Sequence, residues 1–391
     1  MTNQKKEGFM EKRKIQVIMV SGQMIPNVLP AVDRQYKPEK TILCTSSEMT
    51  HHAEILEKYF AAHQIKTERF EVGDALDYHN LLERFFDLRM NLDDVILDVS
   101  VNMTGGTKLM TLAAMASFYS KAEEAQLFYV QPKRNTIISL RQDDRKAYEL
   151  NSMLKIEDFF RIHGYKVTSI DRSPVAESKI GFARELFAGY DRFRDALSTL
   201  NYFASEAEGK HTLDYLISGQ GISLDNNNAL DLLALCSKYG LISYYDDRKI
   251  SFADPESRRM CQGIWLEYFV HSQLQQMKLQ DRAMSIQLES PNGTKNELDG
   301  AFLYQNMLYI LECKTSRVER SGEGTRIIYK LDSLKGIPGT FTRSLIISFL
   351  PFEPYEKLRA EELRIPCIIG KAIPNLEKNL TKLLNESAKG E

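Results

Sequence analysis

The stretch LYILECKTSR, residues 308–317, closes an apolar run with Glu312 and, one residue later, Lys314. Alternation along a strand places the two on one face, and burying a lone charge is expensive. They form either an ion pair on a strand leaving the core or part of a reactive site. The residues upstream, NELDGAFLYQNMLYILECKT, favour the second reading. Runs 297–304 and 307–314 flank Gln305-Asn306, and a two-residue hairpin loop there would pair Tyr304 with Met307. Phe302 then faces Tyr309, Asp299 faces Glu312 and Glu297 faces Lys314, with all four charged residues on one face. Like charges directly opposed, with Cβ atoms about 4.5–5.5 Å apart, destabilise a sheet. A divalent metal with oxygen ligands would reconcile the two acids, with Lys314 as a fixed positive charge beside them. The weak point is the turn, since Gln-Asn is poorer turn chemistry than Asn-Gly and a one-residue slip would separate the carboxylates. A third acid stands in GIWLEYFV, where Glu267 is the only charge of the segment. It either snorkels to solvent from a helix or is held beside the metal, and the second reading accounts better for its apolar surroundings.

A second region is DVSVNMTGGTKLM, where Asn102, Thr104, Gly105, Gly106, Thr107 and Lys108 lie between a buried strand and an apolar helix. Exposed amides at a helix N-terminus favour an anion, and two glycines let a ligand approach the backbone. The spacing matches neither a Walker loop nor a dinucleotide fingerprint, which disfavours ATPase and dehydrogenase activities. Plain turn chemistry is the competing reading. SGQMIPN (Ser21, Gln23, Ile25, Pro26, Asn27) and TSSEM (Thr45, Ser46) supply further loops on the same sheet edge. After the first region, SRVERSGEGTRIIYKLDSLKG carries Arg317, Arg320, Arg326, Lys330 and Lys335, which suits contacts to a nucleic-acid backbone or else a solvated loop.

The elements that must position these residues fall into three groups. Strand-like runs IQVIMVS, TILCTSS, TERFEV, VILDVSV and AQLFYVQ alternate with helical patterns near 49–63, 77–90 and 107–121, which predicts a parallel, doubly wound sheet. Such a sheet binds ligands beyond the C-terminal ends of its strands. Residues 149–255 read as helices, including NSMLKIEDFFRIHGYKV, followed by a hairpin turning at Asp246-Asp247. They resemble a winged helix or a helical connector with an added hairpin. From 256 to 391 a helix to about 278, strands, a helix, a strand and a last helix predict a small α/β domain. The first domain is expected over 10–148.

The chain of 391 residues exceeds one ordinary core and fits two or three domains. Its five cysteines show no paired spacing, which argues against disulfides or structural zinc and suits a reducing cytoplasm. The polar, basic start lacks the apolar run of a signal peptide, Met10 is an alternative start, and no membrane span is expected. A net charge of −2 excludes a globally basic nucleic-acid binder but leaves room for a local basic groove.

Asp299, a spacer of about a dozen residues, Glu312-x-Lys314 after an apolar run, and Glu267 on the preceding helix resemble the PD-(D/E)XK nuclease superfamily. Leu298 stands before Asp299, so the proline–aspartate variant is absent. With the glycine loop and its neighbours, nearly the whole chain resembles the CARF-domain nucleases of type III CRISPR systems, of the Card/Can kind. The resemblance implies an N-terminal Rossmann-like CARF domain, a helical or winged-helix-like middle and a C-terminal PD-(D/E)XK domain. It implies Mg²⁺ or Mn²⁺ on Asp299 and Glu312, with the backbone carbonyl of Cys313 and Glu267 as further ligands. The metal would polarise the scissile phosphate and acidify a water, which Lys314 would orient while stabilising charge on phosphorus. Cyclic tetra-adenylate would bind across a homodimer at the loops of residues 21–27, Thr45-Ser46 and 102–108, a two-fold ligand on a two-fold axis. The substrate would be single-stranded RNA or DNA, or duplex DNA, held in part by Arg317, Arg326 and Lys330. Two alternatives accompany this reading. One is a CARF-type transcription regulator that binds DNA through its middle domain; the other is a CARF domain that cleaves the ring itself.

Overall fold

The computed structural model describes residues 13–92, 97–119, 125–141, 144, 146–217, 227–315 and 341–389. The first sheet contains β1 (Arg13–Met19), β2 (Lys40–Ser46), β3 (Lys66–Gly73), β4 (Leu97–Asn102), β5 (Ala125–Gln131), β6 (Thr136–Ser139) and β7 (Ala147–Glu149), ordered β3-β2-β1-β4-β5-β6-β7. The first five strands run parallel, and β6 and β7 add an antiparallel edge absent from the sequence reading. The order reverses between β1 and β4, which makes their C-terminal ends the switch-point crevice of a doubly wound sheet. The helices Thr50–Ala62, Tyr78–Asn91 and Lys108–Tyr119 lie where the apolar periodicity predicts them. One segment differs from expectation. IPNVLPAV, taken as loop as far as Asn27, is the helix Ile25–Val32, started by a proline in its first turn.

The middle departs further. NSMLKIEDFFRIHGYKV is helical only over Ile156–Arg161. Gly164 takes φ +82, and Tyr165 N–H closes back on Phe160 O at 2.9 Å, which ends the helix with a left-handed glycine. The chain then forms β8 (Lys166–Asp171), which joins the last sheet. Helices Glu177–Ala188, Tyr190–Gly209 and Asn227–Lys238 accompany a small antiparallel sheet. That sheet holds β9 (Asp214–Leu216), β10 (Ile242–Tyr245) and β11 (Lys249–Phe252) in the order β10-β11-β9, the arrangement of a winged helix.

The last sheet contains β12 (Asp281–Glu289), β13 (Lys295–Tyr304), β14 (Met307–Lys314), β15 (Thr342–Ser348) and β16 (Cys367–Ile369), ordered β16-β15-β14-β13-β12-β8. One face packs on the helix Trp265–Gln276 and the helical middle, around Trp265, Phe302 and Phe349. The other face packs on the first domain. A single apolar cluster runs from Ile18, Leu29 and Phe60 to Ile286, Leu308 and Ile346. A third cluster fills the far side of the first sheet. All five cysteines are free thiols, and no described helix is long and apolar enough to cross a membrane.

Candidate functional site

Gln305 and Asn306 both take left-handed φ, 50° and 55°, as a type I′ hairpin turn requires. The ladder then runs from Tyr304↔Met307 to Gly300↔Leu311, and the Phe302 and Tyr309 rings stack at 4.7 Å. The register is the one read from the sequence, but the ladder stops one pair short of Asp299. On the β12 side, pairing skips from Met284↔Gly300 to Ile286↔Leu298, and Ser285 between them has φ 48°. The register on either side stays the same, and Asp299 Oδ2 accepts the Cys313 N–H at 2.6 Å. Asp299 therefore lies against the end of β14 through the backbone, and the ladder does not oppose it to Glu312.

Glu312, 2% exposed, is held by Lys314, whose Nζ lies 3.0 Å from Oε1. Burial pulls the Lys314 ammonium down, but Glu312 and Asp299 outweigh it and hold the group above its ordinary value. Lys314 thus keeps its proton at the site. The half-buried Cys313 thiol is pushed well up by burial and the surrounding carboxylates, which removes it as a nucleophile at neutral pH.

Glu267 arrives from the opposite side, in the first turn of the helix Trp265–Gln276. The expected single helix is broken by a π-turn, Met260–Ile264, in which Gly263 has φ 124°. A Cβ on Gly263 would lie 2.0 Å from Thr315 Oγ1, so the helix start presses directly on the end of β14. Asn201 locks this seam. Its amide donates to Cys261 O at 2.6 Å and Leu197 O at 3.1 Å, and its oxygen accepts from Thr315 Oγ1 at 2.9 Å. Burial, then the charges of Asp299 and Glu297, push the Glu267 carboxyl up to about 8, against the pull of Arg259 and Lys314. Among the described residues, carboxylates therefore converge here in excess of cations, and their hard oxygens match Mg²⁺ or Mn²⁺. The donor chemistry fits such an ion. Among the described residues no three His, Cys, Asp or Glu side chains form a ready-made cage.

At the other end of the chain, the loops after β1 and β4 meet at the switch point. Gly105 is pressed against β1, where a Cβ would lie 2.2 Å from Met19 O. Asn27 Nδ2 donates to Met19 O at 3.2 Å, and Asn102 bridges Pro26 O (2.9 Å) and Thr104 N–H (3.1 Å). Thr107 caps the following helix, accepting from Met110 N–H at 3.2 Å and donating to Ala75 O at 2.9 Å. Ile25, Pro26, Asn27, Thr45, Ser46, Asn102 and Gly105 are buried, whereas Gln23 and Lys108 are exposed and Ser21, Thr104, Gly106 and Thr107 are partly so. The buried members shape the loops, and the others stay accessible at the switch-point end of the sheet. Arg317, Arg326 and Lys330 lie outside the described residues.

Four residues escaped the sequence reading: Gly263, Asn201, Arg259 and Thr315. Only Gly263 carried a local signal, as a glycine inside a helical pattern one turn before Glu267.

Residues 15–159 match the family model of the Card1 CARF domain, and residues 254–386 match that of the Card1-like endonuclease domain. No curated protein matches the chain. Among solved structures, protein VC1899 from Vibrio cholerae superposes with a TM-score of 0.84 at 24% identity, covering 95% of this chain and 97% of that one. Can2 from Sulfobacillus thermosulfidooxidans, in complex with cyclic tetra-adenylate, gives 0.76 at 21% identity, covering 95% and 99%. A type III CRISPR defence DNA nuclease activated by cyclic oligoadenylate gives 0.53 at 17%, covering 88% and 47%.

Proposed function

We propose, for a chain that belongs to the Card1-like family of CARF-domain endonucleases, a metal-dependent nuclease switched on by a cyclic oligoadenylate in type III CRISPR defence. The observation that carries the reading is the convergence of Glu267, Asp299, Glu312 and Lys314 at the end of β14, in one chain with a switch-point crevice. A homodimer would bring two such crevices to one two-fold ring, as cyclic tetra-adenylate offers. Can2, of similar fold, is solved with that ring.

Asp299, Glu312, Glu267 and the Cys313 carbonyl are the groups that would hold Mg²⁺ or Mn²⁺. Such an ion withdraws electrons from a phosphodiester and renders water more acidic. Glu312 orients the Lys314 ammonium, 3.0 Å away. Lys314 retains its proton and donates hydrogen bonds to the attacking water or to a non-bridging phosphate oxygen as charge builds there. The Cys313 N–H keeps Asp299 aimed while substrate enters. The π-turn at Gly263 sets the distance of Glu267 from the strand end.

The regulator alternative has no local charge pattern behind it. The turn between β10 and β11 carries Asp246 and Asp247, and Asp231 lies on the helix Asn227–Lys238. These acids are balanced by Arg248, Lys249 and Lys238 on the same elements, and Asp231 is paired with Arg192, so the described residues of the middle show no basic stripe of the kind a DNA backbone favours. The test is cleavage of labelled RNA and DNA by the wild-type chain and by Glu312→Gln, with ring and Mn²⁺ present. Loss of cutting only in the variant supports the reading, and equal cutting overturns the site.

A further inference from the structure

The hairpin that carries Asp299 and Glu312 turns through an exposed Gln305 and a buried Asn306 that touches the first domain. Asn306 is 2% exposed. Its Nδ2 donates to Pro132 O at 3.0 Å and to Asn135 Oδ1 at 3.1 Å. Its Oδ1 accepts from Gln280 Nε2 at 2.9 Å, and its backbone N–H donates to Gln280 Oε1 at 3.1 Å. Left-handed φ explains an asparagine at this turn, but a glycine would satisfy that equally. Turn chemistry does not explain a carboxamide whose nitrogen is held by another domain.

Pro132 and Asn135 belong to the connection between β5 and β6. Two residues before Pro132, the Val130 N–H donates to Thr104 Oγ1 at 2.8 Å, and Thr104 belongs to the loop that lines the crevice. The crevice is thus joined to the hairpin tip by one hydrogen bond, a two-residue step along β5 and a second hydrogen bond. From Tyr304 the paired ladder runs back to Gly300, and the Asp299–Cys313 contact lies one residue beyond it, about 17 Å from Tyr304 at strand rise. A cavity of about 1270 Å³, lined in part by Tyr129, Lys133, Met277, Tyr304 and Arg343, adjoins the tip.

Resting on the activator reading above, we propose that Asn306 is a positioning residue: it carries the state of the glycine-loop crevice into the hairpin and so into the placement of Asp299 and Glu312. A paired two-strand ribbon moves as a unit, so a displacement of Pro132 reaches the site through the tip. Ring binding can shift the hairpin only by its differential affinity for the two placements, and Asn306 is where that difference is transmitted.

The test uses the full chain and Asn306→Gly, which keeps the left-handed turn and removes the carboxamide. Calorimetry gives the affinity for cyclic tetra-adenylate, and cleavage with and without the ring gives the activation ratio. The expected result is unchanged affinity and unchanged ring-free cleavage, with the activation ratio down at least tenfold, about 1.4 kcal/mol of coupling. A wild-type ratio in the variant overturns the inference and leaves the activator reading intact. A wild-type chain that ignores the ring overturns both. Should Asn306→Gly fail to fold, hydrogen exchange on the wild type decides: ring-induced protection must appear in 300–312 as well as 130–135. Protection confined to the first domain sinks the proposal.

Discussion

At the residue scale, the site depends on side chains whose charges would repel in isolation. Lys314 offsets Glu312 directly, so replacing either removes a partner the other needs. Lys314→Ala should lower cleavage by about 10²–10³-fold while leaving ring affinity unchanged. Steady-state cleavage beside calorimetric ring binding checks this, and a parallel loss of both would assign Lys314 to folding instead. Gly263 makes a sharper case. Its φ of 124° and the 2.0 Å approach of Thr315 Oγ1 leave no space for a methyl group. Gly263→Ala should destabilise the chain by about 1–3 kcal/mol. It should also reduce cleavage, because Glu267 moves off the strand end; urea unfolding and cleavage rates check both effects. The acids and the lysine were legible because strand alternation and a two-residue loop are local rules. The bond from the Cys313 N–H to Asp299 was not, because a side chain's choice of a backbone partner across the hairpin is not written in strand alternation.

At the element scale, apolar periodicity exposed the five parallel strands and their helices, because a doubly wound sheet writes its burial into continuous apolar runs. It failed at Ile25–Val32, where two prolines concealed a helix, and at Lys166–Asp171, where Gly164 ended a helix early. The partner of β8 is β12, more than a hundred residues away, and no local pattern encodes that pairing. The seam near Gly164 carries its own prediction. His163 Nδ1–H donates to Phe159 O, 2.7 Å away. Burial and then nearby His52 hold its pKa at about 4, below the ordinary 6.5, with the Phe159 contact opposing. The folded state resists protonation that the unfolded chain accepts, so stability present above 6.5 declines as pH falls toward 4. Melting temperatures from pH 7 to 4.5 should fall less steeply in His163→Gln than in the wild type. Equal slopes would remove His163 from the account.

At the scale of the whole molecule, the first domain and the last sheet share one apolar cluster, so the crevice and the candidate site at the end of β14 sit on a common packed body. Close packing passes displacement between them with little loss. A two-fold ring on a two-fold axis should bind at one ring per two chains by calorimetry, and one ring per chain would contradict the dimeric pocket. The most direct measurement is cleavage of labelled RNA and DNA under four conditions, crossing cyclic tetra-adenylate with Mn²⁺, and repeated with Glu312→Gln. The account predicts cleavage that requires Mn²⁺, is raised at least tenfold by the ring, is abolished by chelator and is absent in the variant. Cleavage that proceeds equally without either ligand, or that survives Glu312→Gln, would contradict it.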